Sequence, residues 1–247
     1  MSAVGGGELE TVERYGRLMR FFPVAVSAGA MAGAWARQEA APAGSVVVID
    51  HEISPLGRLG EAWPIPQTSS LILAMVLRPP VAPEEADVAW LVGGLGVLNG
   101  AETVTGRELS VWWPDRVVDG GRDDVVASIK AESQLGPGEV RASVVTVRLD
   151  LDRLGLEGER REELLEAVVG ALDQAAGECQ DGPQGAAAAY ERRCALLGHR
   201  VKLRLLPKGE TRGTARRIDR GGGLELESGT GMVERISVDM LRELTTA

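Results

Sequence analysis

Apolar runs and helix-period stretches alternate along most of the chain. Residues 45–50, SVVVID, and residues 71–77, LILAMVL, are unbroken apolar or β-branched runs, as expected of strands buried on both faces. The alanine-rich residues 28–38 predict a helix, with Ser27 as its N-cap because a hydroxyl there accepts from first-turn N–H groups. Residues 83–105 place Val88, Leu91, Val92, Leu95, Leu98 and Ala101 at helical spacing despite four glycines. Residues 158–179 set Leu164, Leu165, Val168, Val169 and Leu172 on one face and Arg161, Glu162, Glu163 and Glu166 on the other. Residues 109–113 and 125–132 read as strands paired around Asp119-Gly120-Gly121, and residues 142–150 as a further strand.

The pattern changes after residues 179–185, CQDGPQG, a linker-like break. A helix over 186–197, with Gly198 as its C-terminal cap, leads into short alternating strands at 201–205, 211–219, 223–227 and 233–237. Turns at 207–210 and 220–222 separate them, the spacing of a small β-barrel. The fold class expected is a mixed α/β sheet with flanking helices followed by a small C-terminal β-barrel. Three segments follow: a flexible start over 1–17, an α/β domain over 18–185, and a linker helix plus barrel over 186–247.

Composition narrows the function classes. The 247 residues carry a net charge of −9, which argues against nucleic acid as a partner, since phosphate binding needs a Lys/Arg surplus. Cys179, Cys194, His51 and His199 show no metal-ligand spacing, so no metal site is expected. Two cysteines give no disulfide framework and point to a reducing, cytoplasmic setting. The apolar run over 21–36 contains Pro23, Gly29 and Gly33 and is too short and broken to span a bilayer. Glu8, Glu10 and Glu13 precede it, unlike the basic start of a signal peptide.

The most informative segment is 51–80, HEISPLGRLGEAWPIPQTSSLILAMVLRPP. A Gly-Arg loop, a Trp, a Pro-containing turn and a strand ending in Arg-Pro-Pro resemble, in that order, the core of the biotin protein ligases, whose pattern runs GRGRxGRxW, then a strand ending LRP. Leu197-Gly198-His199-Arg200-Val201, Gly213-Thr214-Ala215 and Gly222-Gly223-Leu224 resemble later phrases of the same family. The resemblance covers nearly the whole chain. It implies a biotin/lipoate ligase-like catalytic domain over 18–185 and an SH3-like C-terminal barrel. It further implies biotin and ATP/Mg as ligand and cosubstrate, a biotin carboxyl carrier domain as partner, and leaves a homodimer open.

The resemblance also assigns positions. Gly57, Arg58, Gly60 and Trp63 fall on the loop, where the arginine is a phosphate-side cation; the plainer reading is a Gly-rich surface loop with one solvated Arg. Leu56 stands where the family has an arginine, and Glu61 where it has another. The family's KWPND becomes Trp112-Trp113-Pro114-Asp115-Arg116, so Trp112 replaces a lysine while Trp113 and Asp115 keep candidate ligand-side places. In GRKxAGxLxE, whose lysine faces the biotin carboxylate, Val125 takes the lysine position and Ser128 the glycine. Lys130 lies five residues on, an odd offset that turns it to the other face of a strand. GxGxN becomes Thr146-Val147-Arg148-Leu149-Asp150, losing both glycines. Arg148 is then either a replacement cation, and with Arg58 a candidate for catalysis, or a side chain filling a vacated pocket. Acyl-adenylate chemistry brings a carboxylate to a polyphosphate and needs cations to do so. The expected function is therefore biotin protein ligase-like with weak or absent activity. The alternatives are a non-catalytic binding partner, or a ligase or sensor for a different carboxylic acid.

Overall fold

The computed structural model describes residues 10–120, 124–158, 160–207 and 209–246. The apolar runs form the middle of an eight-stranded sheet ordered β1-β2-β3-β4-β8-β7-β6-β5. Its strands are β1 (Val12–Arg14), β2 (Arg17–Ala25), β3 (Val46–Glu52), β4 (Ser70–Leu77), β5 (Ser110–Trp112), β6 (Arg116–Val118), β7 (Val125–Gly136) and β8 (Glu139–Asp150). Only β2 and β3 run parallel. All eight residues of β4 are buried, as a run without polar alternation demands.

The two faces of the sheet carry separate cores. Helix α1 (Ala28–Gln38) covers one face with Ala28, Ala32, Trp35 and Ala36 against Val47, Ile49, Ile72, Ala74 and Val144. Helices α2 (Val88–Thr105) and α4 (Arg160–Gly177) cover the other, over Ile129, Val145, Val147 and Leu149. A short α3 (Leu151–Leu154) joins β8 to α4. Strand alternation thus sends Val145, Val147 and Leu149 to the α2 side, and Val144, Thr146 and Arg148 to the α1 side. The four glycines of α2 are contacts rather than breaks. A Cβ would come within 2.7 Å of Ile129 at Gly93, 2.7 Å of Tyr190 at Gly94, 2.5 Å of Leu172 at Gly96 and 2.6 Å of Val168 at Gly100.

Helix α5 (Gln184–Arg193) leads to a five-stranded antiparallel sheet ordered β12-β11-β10-β9-β13. Its strands are β9 (Arg200–Leu205), β10 (Gly209–Ile218), β11 (Leu224–Glu227), β12 (Val233–Ile236) and β13 (Leu241–Thr246). Polar contacts join it to the large sheet's domain. Trp113 Nε1 donates to the Gly222 carbonyl at 2.9 Å, Arg58 Nη1 to the Leu241 carbonyl at 2.8 Å, and the Val238 N–H to Asp87 at 3.1 Å. Burial at this junction pushes the Asp87 carboxyl up to about 6, against the Val238 N–H and the Arg235 charge, which pull it down.

Several elements differ from the sequence expectation. Residues 109–113 do not pair with 125–132: β5 pairs with β6, and β6 with β7. The three-residue β6 is too short to show a period, so the meander read as a hairpin. Gly121 of its expected turn lies outside the described residues, as do residues 1–9. Within the start expected to be flexible, β1 pairs with β2. Helix α5 ends at Arg193, because Cys194 is already extended and bridges to Val111. Gly198, with φ 85°, is therefore no helix cap; its N–H donates to the Ala215 carbonyl of β10. Strand β13, LRELTT, was not foreseen, having too few apolar positions to mark it.

Two predictions follow from this packing. Gly100→Ala should destabilise the chain by about 1–3 kcal/mol in chemical denaturation, although alanine gains about 1 kcal/mol in helix propensity, because the methyl meets Val168 backbone. The raised Asp87 pKa means that the folded state holds this proton more tightly than the unfolded state. Its stabilising contribution is complete below the ordinary value of 3.8 and is lost as pH rises through about 6. Asp87→Asn should therefore be more stable than the parent at pH 8, by about 1–2 kcal/mol, with the difference vanishing towards pH 4.

Candidate functional site

Strand β3 ends on the α1 face at Glu52, beside Ala25 of β2. The Glu52 carboxylate accepts from the Ala28 N–H at the start of α1 at 2.8 Å and pairs with Arg148 of β8 at 2.6 Å. Both side chains are almost fully enclosed, at 1% and 3% exposure. Ser27 caps the same helix end, as expected, accepting from the Ala30 N–H at 3.2 Å. Burial pulls the Arg148 pKa down, and the Glu52 charge and hydrogen bond draw it back. An ion pair so deep is tolerated only when further hydrogen bonds satisfy it.

Those bonds come from the segment joining β3 to β4. Arg148 Nη1 donates to the Ile65 carbonyl at 3.2 Å, and its guanidinium lies 5.3 Å from the Trp63 ring centre, a cation–π contact. Gln67 closes the other side: its Oε1 accepts from the Glu52 N–H at 2.8 Å, and its Nε2 donates to the Glu52 carbonyl at 3.2 Å. Leu56 bridges to Ala62 across the turn, and Gly57 lies against the Trp63 ring, where a Cβ would be 3.4 Å from Cδ2. Gly60 takes φ 75° and Leu59 φ 61°, so two successive left-handed residues make the turn. The chain's own guanidinium holds this segment against the sheet.

Around the pair, polar groups remain unmet. Arg148 Nε, Ser128 Oγ and Thr146 Oγ1 are buried with no hydrogen-bond partner. Ser128 is directly opposite Arg148, and Lys130 opposite Thr146, so the four share one face. Lys130 is offset from Val125 as expected, but the conclusion drawn from that offset is reversed. Val125 packs into the larger core with Ala127 and Ile129, whereas Lys130 lies on the face that carries Arg148. Its ammonium meets Glu132 at 3.1 Å.

The remaining expected site residues form a second group. Arg58 pairs with Asp115 at 2.8 Å. With Trp112, Trp113, Pro114 and Arg116 they line a cavity of about 180 Å³ that does not include Arg148. Trp112 lies 5.8 Å from the His199 ring, and Trp113 is fully buried. The structure thus brings Trp63 to Arg148, and Arg58 to Asp115, as two separate contacts. Sequence reasoning missed Glu52 and Gln67. The signal for Glu52 was an acid at the end of an apolar strand, matching the arginine inside VVTVRLD, since a buried charge requires an opposite one.

No protein-family model matches the chain. It is 24% identical over 138 residues to the bifunctional ligase/repressor BirA of Bacillus subtilis, covering 56% of this chain and 41% of that one. The chain thus spans about 41% of the length of the BirA relatives it matches. It is 27% identical over 201 residues to the biotin–[acetyl-CoA-carboxylase] ligase of Mycobacterium tuberculosis, covering 75% and 74%. Among solved structures, biotin protein ligase from Aquifex aeolicus, in complex with biotin and ATP, superposes with a TM-score of 0.71 at 19% identity, covering 93% of this chain and 99% of that one. The chain carries a divergent biotin protein ligase fold. A biotin protein ligase-like protein of unknown function from Silicibacter also superposes, with a TM-score of 0.65 at 19% identity over 88% and 94% of the two chains.

The residues on the α1 face do not fit biotin as a ligand. Arg148 and Glu52 fill the sheet surface beneath Trp63. Thr146 Oγ1 stands 2.6 Å from where a Cβ on Gly29 would be, leaving no gap between helix and strand there. Among the described residues, no group of three or more His, Cys, Asp or Glu is placed to hold a metal ion.

Arg148→Met should cost about 3–5 kcal/mol in denaturation, because it strands the Glu52 carboxylate in the interior. Adding Glu52→Gln should recover a large part of that loss, giving a coupling energy of about 1–3 kcal/mol in a double-mutant cycle.

Proposed function

We propose that this chain is a biotin protein ligase-like protein whose ligand face has been remade, so that it binds biotin and ATP/Mg weakly or not at all and has weak or absent ligase activity. The observation that carries this reading is the buried Arg148–Glu52 pair. Forming a biotinyl-adenylate needs cations free to meet a carboxylate and phosphates. Here the nearby cations already face carboxylates of the chain: Arg148 meets Glu52, Arg58 meets Asp115, and Lys130 meets Glu132. A ligand anion would have to displace a side chain at each. A charge-assisted hydrogen bond contributes about 1.5–3 kcal/mol, so two or three such bonds withheld would cost several powers of ten in rate.

A cytoplasmic protein that meets a carboxyl carrier domain, or a second copy of itself, without modifying it fits this reading; nucleic acid and membrane do not. The closeness of a buried guanidinium to a carboxylate favours one second reading, a ligase or sensor for a carboxylic acid other than biotin.

Calorimetry with biotin and with ATP, and a biotin-dependent pyrophosphate-release assay, should give no signal at micromolar ligand. Micromolar biotin affinity, or biotin transfer to a carrier peptide, would restore an active ligase.

A further inference from the structure

The Arg148 guanidinium and the first turn of α1 make up an anion site independent of which acid the relatives use. Arg148 Nη2 points at one carboxylate oxygen of Glu52 at 2.6 Å, and the Ala28 N–H at the other at 2.8 Å. A helix N-terminus and an arginine are the two groups that best hold a carboxylate. The site is richer in donors than its occupant uses: Arg148 Nε, Ser128 Oγ and Thr146 Oγ1, all on residues no more than 4% exposed, have no partner. Glu52 reaches the site only as a side chain at the end of β3, and its carboxylate takes just two of these donors.

We infer that Arg148 and the N-terminus of α1 form a carboxylate-binding site which the chain closes with its own Glu52, so that an external monocarboxylate binds there by displacing that side chain. The inference rests on the reading of a remade ligand face and names its chemistry. The occupant is a carboxylate rather than a phosphate, because Glu52 fills it with a single flat anion and because Glu132, on the same face, would repel a more highly charged group. The occupant's chain is short, since Thr146 and Trp63 close the surroundings.

Removing the internal carboxylate tests this. Glu52→Ala should be less stable than the parent, and acetate should restore its thermal midpoint saturably, while chloride at equal ionic strength should not. The parent should show no saturable acetate effect, and Glu52→Ala/Arg148→Met should lose the rescue. If Glu52→Ala does not fold, Glu52→Gln keeps the volume and the Ala28 contact, and should show the same preference for acetate over chloride with smaller amplitude. Equal responses to acetate and chloride in whichever variant folds would overturn the inference, as would rescue that survives Arg148→Met. Biotin binding by the parent would overturn the remade-face reading and leave the rescue result unchanged, so the two failures are distinguishable.

Discussion

The contact between the Arg148 guanidinium and the Glu52 carboxylate, 96 residues apart in sequence, is the interaction on which this ligand face depends. It sits where α1, β3, β8 and the segment between β3 and β4 meet, and each contributes a partner. Neither charge is tolerable in the interior alone. Together they fix four elements: α1 by the Ala28 N–H, β3 by Glu52, β8 by Arg148, and the connecting segment through Ile65, Trp63 and Gln67. Such a pair adds little net stability but penalises every arrangement that separates it. The segment held over the sheet is ordered by the protein's own charges, whereas a site meant for an anionic ligand would keep its cations unpaired.

The scaffold beneath this contact is built by alternation and close approach. Strand β8 sends apolar residues to the α2 core and Thr146 and Arg148 to the α1 face. Glycines at 96 and 100 let α2 meet α4 at backbone distance. These features keep the sheet rigid while the chemistry on one face changes. That separation explains how the chain superposes on Aquifex aeolicus biotin protein ligase over 93% of its length at 19% identity. The C-terminal sheet is joined to this scaffold through buried polar contacts, at Trp113, Arg58 and Asp87. A loop arginine of the expected site thus serves as a tether between domains, its charge neutralised by Asp115.

Much of the architecture was legible in the chain. The runs SVVVID and LILAMVL were strands because nothing polar interrupts them, and the helices at 28–38, 88–105 and 160–177 followed from period and composition. The loop Leu56-Gly57-Arg58-Leu59-Gly60 and the substitutions at Trp112, Val125, Thr146 and Arg148 could be placed from spacing alone. Short or mixed elements escaped: β6 spans three residues, and β13 is mostly polar, so neither carries a period. Lys130 was assigned away from the site because the face was judged from Val125, which itself points into the core.

What the sequence determined by itself was the order of elements and the identity of the residues replacing the ligase motifs, since both depend on local pattern. What only the tertiary structure decided was which charges meet. Glu52 and Arg148 lie on different strands, and no spacing rule links them. Arg148 could be read as a replacement cation or as a filler until β3, β4 and β8 were aligned side by side. Burial then settled its partner, because a guanidinium enclosed by a sheet and a helix is stable only against a carboxylate enclosed with it.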